Sequence, residues 1–436
     1  MQGTVLAPLK CSVSIDNIGK EALEKSEGNL LKYRNCVSIP PLSLIDDIIA
    51  ITKCSHDAVV MNAFIEAKTQ DLQLELGFKK CCQLHVGCSS DTCSTLTVQS
   101  QEMVKASKQM YLGDLLSADG KIDNNINERF SKGIGIVNQI ITLLKEVHFG
   151  KHYFEMAILF RNSMLVNSVL CSIESLYGLK KSHIEKLESC DKYLMRKLFN
   201  SVSTTAVEAY YLETGTLPLR FYISARRLMF LWNILQKPES ELVNQVYNAQ
   251  KLSPVENDWF LQVQDDLRMF QINLSDDEIK SLKKEKFKHI VKKSVREQGE
   301  TYLYNLKENH SKSQNLGARF QLQDYLTCDE LNVQEKQLLF KFRTRTYDCK
   351  MNYQKMYEPD LSCLFCNGED SQEHLIACKI TDDMNTEGIF YGDIFDSAEK
   401  QTKITKVLKQ IDNKRFLSKK SSNVGGQVHR EMPHIQ

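Results

Sequence analysis

The sequence carries almost no net charge: 56 Lys and Arg stand against 55 Asp and Glu, a formal +1 over 436 residues. This excludes a uniformly basic nucleic-acid binder and leaves room only for a local basic face, because partner choice follows the distribution of charge. Long apolar runs are missing as well. The most apolar stretch, residues 156–171, is interrupted by Arg161 and Asn162 and falls short of the roughly 20 residues that a membrane span needs, so it reads as a buried helix. There is no internal repeat, no glycine-rich phosphate loop, and no Ser-His-Asp or Cys-His nucleophile arrangement. The opening Met1-Gln2-Gly3-Thr4 lacks the basic and apolar regions of a secretory leader. Fourteen cysteines in so long a chain therefore read as reduced thiols within the cell, in cytoplasm and nucleus, and not as a disulfide framework.

What is present suffices for two to four domains: 42% of the residues are hydrophobic and 25% charged, as in an ordinary folded protein. The first hundred residues mix short β-like runs (4–13, 44–52, 84–87 and 111–116) with one helical stretch at about 57–76. From Asp123 the period becomes helical, with Ile134, Val137, Ile141, Leu144 and Val147 at i+3 and i+4 intervals. Pro238 marks a boundary. Ser275 followed by Asp276, Asp277 and Glu278 is a capping-box pattern and predicts one helix carrying Lys280, Lys283, Lys284, Lys286, Lys288, Lys292, Lys293 and Arg296 against a single Glu285. That is the strongest local charge bias in the chain.

Two constellations could carry chemistry. Cys363, Cys366, His374 and Cys378 follow a Cys-x2-Cys-x7-His-x3-Cys spacing. The first pair can form a knuckle with both sulfurs on one side, and His374 and Cys378 lie one helical turn apart, so four soft ligands can converge tetrahedrally on zinc. The other is the adjacent pair Asp46 and Asp47 within an apolar run. Two carboxylates at a buried hairpin turn repel each other and lose solvation, an arrangement that divalent cations would relieve. A further group, Cys81, Cys82, His85, Cys88 and Cys93, reads as structural cysteine, because a strand through it points alternate side chains apart.

The order of short motifs resembles the C-terminal part of a LINE-type, non-LTR retrotransposon reverse transcriptase. The run Gln2-Gly3-Thr4-Val5-Leu6-Ala7-Pro8-Leu9 resembles palm motif B, Leu44-Ile45-Asp46-Asp47 motif C, Leu76-Gly77-Phe78-Lys79-Lys80 motif D and Tyr111-Leu112-Gly113 the primer grip. Glu208 through Gly215, with Pro218, Arg220, Arg226 and Arg227, resembles the thumb, and Phe340 to Tyr347 with the Cys-Cys-His-Cys segment the family's C-terminal region. The resemblance implies an α+β fold: a partial palm of short antiparallel strands plus helix (1–116), a helical thumb and post-thumb (117–238), a helical connector with the lysine-rich helix (239–345), a zinc knuckle (346–385) and a partly disordered tail (386–436). It implies that Asp46 and Asp47 hold Mg2+, that Gln2, Gly3, Lys79 and Lys80 meet nucleotide and template, and that Leu112 and Gly113 grip the primer. Arg220, Arg226, Arg227, Lys283, Lys284, Arg343 and Arg345 would meet RNA and DNA phosphates.

The resemblance begins at motif B. The motif A aspartate and the fingers have no counterpart in these residues, and Leu44 stands where the family has an aromatic residue. Two-metal phosphoryl transfer depends on the full ligand set and on a closed nucleotide pocket, so the expectation is an RNA-directed DNA polymerase by resemblance that is inactive alone. The alternatives are a non-catalytic RNA- or DNA-binding protein and an inert helical scaffold with a structural zinc.

Overall fold

The computed structural model describes residues 7–44, 47–87, 94–316, 319–378 and 388–423, with backbone alone for 7–14, 16 and 421–423. Gln2, Gly3, Asp46, Cys88 and Cys93 lie outside the described residues. In chain order, α1 (Ala7–Lys25) leads to the hairpins β1–β2 (Leu31–Tyr33, Val37–Ile39) and β3–β4 (Leu42–Leu44, Asp47–Ile49). Then come α2 (Ser55–Asp71), β5 (Cys82–Leu84), the short hairpin β6–β7 (Thr97–Val98, Gln101–Glu102), β8 (Val104–Ala106) and the hairpin β9–β10 (Lys108–Tyr111, Asp114–Ser117). The remainder is helical: α3 (Asp123–Glu146), α4 (Tyr153–Phe160), α5 (Asn167–Val169), α6 (Lys181–Phe199), α7 (Val207–Thr214), α8 (Leu219–Leu235), α9 (Leu242–Leu252), α10 (Trp259–Met269), α11 (Asp276–Ser281), α12 (Lys284–Glu308), α13 (Asp324–Thr327), α14 (Val333–Arg343), α15 (Gln354–Tyr357), α16 (Gln372–Ala377) and α17 (Ala398–Asn423). The fold is thus mixed α+β, with short strands followed by a mainly helical region. The strands pair antiparallel except for β5 with β8, which is parallel. No helix of the described residues is long and apolar enough to cross a membrane.

The chain forms two compact units, each assembled from three stretches. The first contains residues 1–129, 170–184 and 223–294. Here Ile15, Ile18 and Ala22 of α1 pack with Leu30 and with Met61 and Ile65 of α2, and Ile48 of β4 lies against them. Burial of these side chains at roughly 25 cal/mol per Å2 is what holds strands too short to be stable alone. A second cluster joins Val37 and Ile39 of β2 to Ala249 of α9.

The second unit contains residues 130–169, 185–222 and 295–436. Its centre is an aromatic stack in which the rings of Phe199 and Phe340 lie 4.0 Å apart, flanked by Phe154 at 5.0 Å and Tyr210 at 5.6 Å. Gly215, at φ +63°, ends α7 so close to Gln321 that an added Cβ would meet its Cα at 2.5 Å, so only glycine fits this left-handed cap.

Four features depart from the sequence reading. Residues 4–13 were expected to be β-like, whereas α1 begins at Ala7, and Ile15, Ile18 and Ala22 of that helix share a core with α2. The capping box at Ser275 is present, but it opens only α11, and α12 starts anew at Lys284. Between them Leu282 is extended, and its carbonyl accepts the Trp232 indole N–H at 2.9 Å. Residues 156–169 of the 156–171 stretch are helical, yet the turn from Arg161 to Val166 widens to π-helical geometry. The segment read as a tail carries α17, whose Ile404, Leu408 and Ile411 are fully buried at i, i+4 and i+7.

Candidate metal centre

Residues 361–378 form a knuckle followed by a short helix. Ser362 pairs antiparallel with Glu369, and the Cys363 N–H donates to the Gly368 carbonyl at 2.7 Å, closing a tight turn around Cys366. The Ser371 hydroxyl then caps α16 by accepting the His374 N–H at 3.1 Å. The result brings the ligand atoms of Cys363, Cys366, His374 and Cys378 within 4.8 Å of one another.

Three thiols and one imidazole suit zinc. A tetrahedral ion with Zn–S bonds of about 2.3 Å sets its sulfurs about 3.8 Å apart, and Sγ of Cys378 lies 3.8 Å from Sγ of Cys366. His374 Nε2 is closer, at 3.1 Å from Cys366 Sγ, and would move outward slightly around an ion. The N–H groups of Phe365 and Gly368 donate to the sulfurs of Cys363 and Cys366 at 3.4 and 3.3 Å. The Gly368 bond leads in lowering the Cys366 thiol below its usual pKa, which favours the thiolate that a metal requires. The cluster can coordinate a metal ion.

Residues that sequence reasoning missed anchor this cluster. Asp370 is fully buried and takes both ends of the Arg415 guanidinium, at 2.5 and 3.0 Å, while accepting the Lys350 N–H at 2.8 Å. Gln372 donates to the Phe342 carbonyl at 2.8 Å. Gly368 faces the imidazole so closely that a Cβ would sit 2.6 Å from His374 Cε1. An alanine there must push the ring aside. Supporting groups of this kind typically account for about 10- to 100-fold in metal affinity, so Gly368→Ala is expected to weaken zinc binding by that factor in a competitive chelator titration. Unchanged affinity would show that the ring is not held by this contact.

The residues singled out for nucleic acid fall into two groups. Lys79 and Lys80 are exposed, as are Lys283 just ahead of α12 and Lys284, Lys286, Lys288 and Lys292 on it, whereas Phe287, Val291 and Val295 of the same helix are buried. Lys284 lies over the Trp232 ring at 6.0 Å. Leu112 and Gly113, with φ of +50° and +90°, form the exposed tip of β9–β10.

The arginines do not meet the expectation of facing phosphates. Arg227 is buried on Asp266 at 2.7 Å. Arg343 is bidentate to Glu213 at 2.9 and 3.0 Å, donates also to the Ile394 carbonyl, and is 4% exposed. Arg220 forms a bidentate pair with Glu188, Arg226 donates to the Leu170 carbonyl at 2.7 Å, and Arg345 pairs with Glu373 at 2.6 Å. Arg227 and Arg343 are buried among packed helices, where a cation must be paired internally, and the others are engaged by carboxylates or carbonyls of neighbouring elements.

Asp47 opens β4 opposite Leu44 and is exposed. Tyr111, at the end of β9, reaches this hairpin: its hydroxyl donates to the Leu42 carbonyl at 3.5 Å. Burial, followed by the Asp47 charge, raises the pKa of Tyr111. Among the described residues no acidic group of three or more ligands forms beside Asp47. Cys81 and Cys82 are half-buried thiols raised in pKa by burial, next to His85. No model of a known protein family matches this chain, and no curated protein is detectably similar to it.

Proposed function

We propose that this chain is the palm-to-zinc-cluster portion of a LINE-type reverse transcriptase that holds a primed RNA or DNA template without extending it. One observation carries the reading. In a polymerase the primer grip must hold the 3′ end beside the metal-binding aspartates, and here the Tyr111 hydroxyl of the grip-like hairpin meets the Leu42 carbonyl of the Asp46–Asp47 hairpin, 69 residues away in sequence. Asp47 sits near enough to act on the tyrosine's ionisation. Gln2, Gly3 and Asp46, assigned to the same site by this reading, lie outside the described residues.

In this reading Asp46 and Asp47 supply two carboxylates toward Mg2+, and two-metal transfer draws on a further motif A aspartate, so this pair alone leaves the metals and the attacking oxygen incompletely positioned. Zinc in the Cys363, Cys366, His374 and Cys378 cluster is structural, since all four positions are filled by protein. The protein would act within the cell, in cytoplasm and nucleus.

A non-catalytic nucleic-acid-binding role is favoured by the exposed lysines of α12. Lys286, Lys288 and Lys292 of that helix are exposed cations of the kind that neutralise phosphates. Each neutralised phosphate contributes about 0.7 to 0.9 to the slope of log K against log salt. Lys286→Gln with Lys292→Gln is expected to flatten that slope by about 1.5, measured by fluorescence anisotropy of a recessed RNA–DNA hybrid. An unchanged slope would remove α12 from the binding face.

A further inference from the structure

The first unit contains a cavity of about 670 Å3, within the roughly 300–1,000 Å3 of sites that take small molecules. Tyr33 and Arg34, at the tip of the β1–β2 hairpin, form one wall. Phe230 and Ile234 of α8 and Tyr247 of α9 form another, and Trp259, the first residue of α10, closes the end. Tyr177 stands at the rim, 51% exposed. The Trp259 ring is edge-on to Phe230, with centroids 5.7 Å apart at 88°, and to Tyr247, 6.1 Å apart at 78°. Rings set perpendicular in this way leave a slot with a π face at its side.

The polar heads of the lining residues are engaged elsewhere. The Trp259 indole N–H donates to the Glu174 carbonyl at 2.6 Å, and the Tyr247 hydroxyl donates to Asp276 at 3.1 Å. Gln250 donates to the Tyr33 hydroxyl at 3.1 Å and accepts the Phe260 N–H at 2.9 Å. Arg34 is held by Asp258 and by the Ala249 and Ser253 carbonyls. An ionised ligand would have to break the Arg34–Asp258 pair to find a counter-charge, and leaving a buried carboxylate unpaired is costly. A neutral one loses nothing. Aliphatic chains fill such a space without using its geometry, whereas a flat ring gains offset and edge contacts beyond area burial.

We propose that this cavity is a binding site for a neutral, flat, fused-ring aromatic molecule, independent of the nucleic-acid surface and the metal centre. The full chain bears two tryptophans, so Trp232→Phe leaves Trp259 as the sole reporter. N-phenylnaphthylamine, its sulfonated analogue anilinonaphthalene sulfonate, and palmitate are titrated into this protein while Trp259 emission is followed. The neutral probe is expected to quench Trp259 saturably at one site. The sulfonate is expected to bind at least about tenfold more weakly, and palmitate not to displace the probe.

Adding Val243→Phe, which fills the α9 wall, should abolish quenching. Tyr177→Ala, at an exposed rim position that folding does not require, should weaken the probe about five- to tenfold through loss of one ring contact. Absence of saturation, equal or tighter binding of the sulfonate, displacement by palmitate, or unaltered affinity in a folded Val243→Phe or in Tyr177→Ala would each overturn the proposal.

Discussion

Replacing Cys366 by serine is expected to reduce zinc from one ion per chain to near zero and to unfold residues 361–378 locally. The knuckle has little else to hold it. Its own buried apolar content is Leu375 and Ile376 with Cys363 and Cys378, too small a core to order a turn and a six-residue helix. Structural zinc in isolated knuckles supplies on the order of 10 kcal/mol of folding free energy. Here the Asp370–Arg415 pair and the Gln372 bond to Phe342 tie the middle of the segment to α17 and α14, so the loss should stay local. Hydrogen exchange at 361–378 should rise to that of an open chain in Cys366→Ser and after chelation, with α14 and α17 still protected. Zinc well below one per chain in reduced wild-type protein would rule against the centre.

Arg161→Ala is expected to destabilise the second unit by about 3–5 kcal/mol, the range for breaking a buried ion pair from one side. Arg161 and Asp191 are both 0% exposed and bidentate at 2.6 Å, and Arg161 donates in addition to the Leu217 carbonyl at 2.8 Å. Burial alone would lower the guanidinium's pKa, but the Asp191 charge and hydrogen bonds outweigh it, and the value stands above the ordinary one. Alanine leaves Asp191 buried with the Tyr211 hydroxyl at 3.0 Å as its remaining partner. The double replacement Arg161→Met, Asp191→Leu should recover most of the loss, because it removes both charges. Urea unfolding of the wild type, Arg161→Met, Asp191→Leu and the double replacement forms a double-mutant cycle. By contrast, Arg220→Ala at the part-exposed Glu188 pair, 29% exposed on the arginine side, should cost nearer 1 kcal/mol. An Arg161→Ala loss no larger than that of Arg220→Ala would contradict the assignment.

How much of this was legible in the sequence differs by element. The metal cluster was readable because its ligands lie within 16 residues and the spacing itself carries the geometry. The Ser275 capping box was readable for the same reason: the signal is local. Its length was not, because the break at Leu282 depends on Trp232, 50 residues earlier. The arginines misled the reading since charge type says nothing about burial. Glu213 and Arg343 are 130 residues apart, and nothing in either neighbourhood announces the other. The last helix was hidden by its lysines, and only the Ile404, Leu408 and Ile411 stripe, with Arg415 aimed at Asp370, shows that it is a core element.

The proposed template-holding role is best tested on the purified chain in one mixture. A fluorescent recessed RNA–DNA hybrid, Mg2+ and all four dNTPs are incubated with excess protein, and the bound and extended fractions are read from the same sample. The account predicts a complex at low salt that dissolves steeply as salt rises, with the primer unextended. No complex at low salt, or extension that Asp47→Ala abolishes, would contradict it.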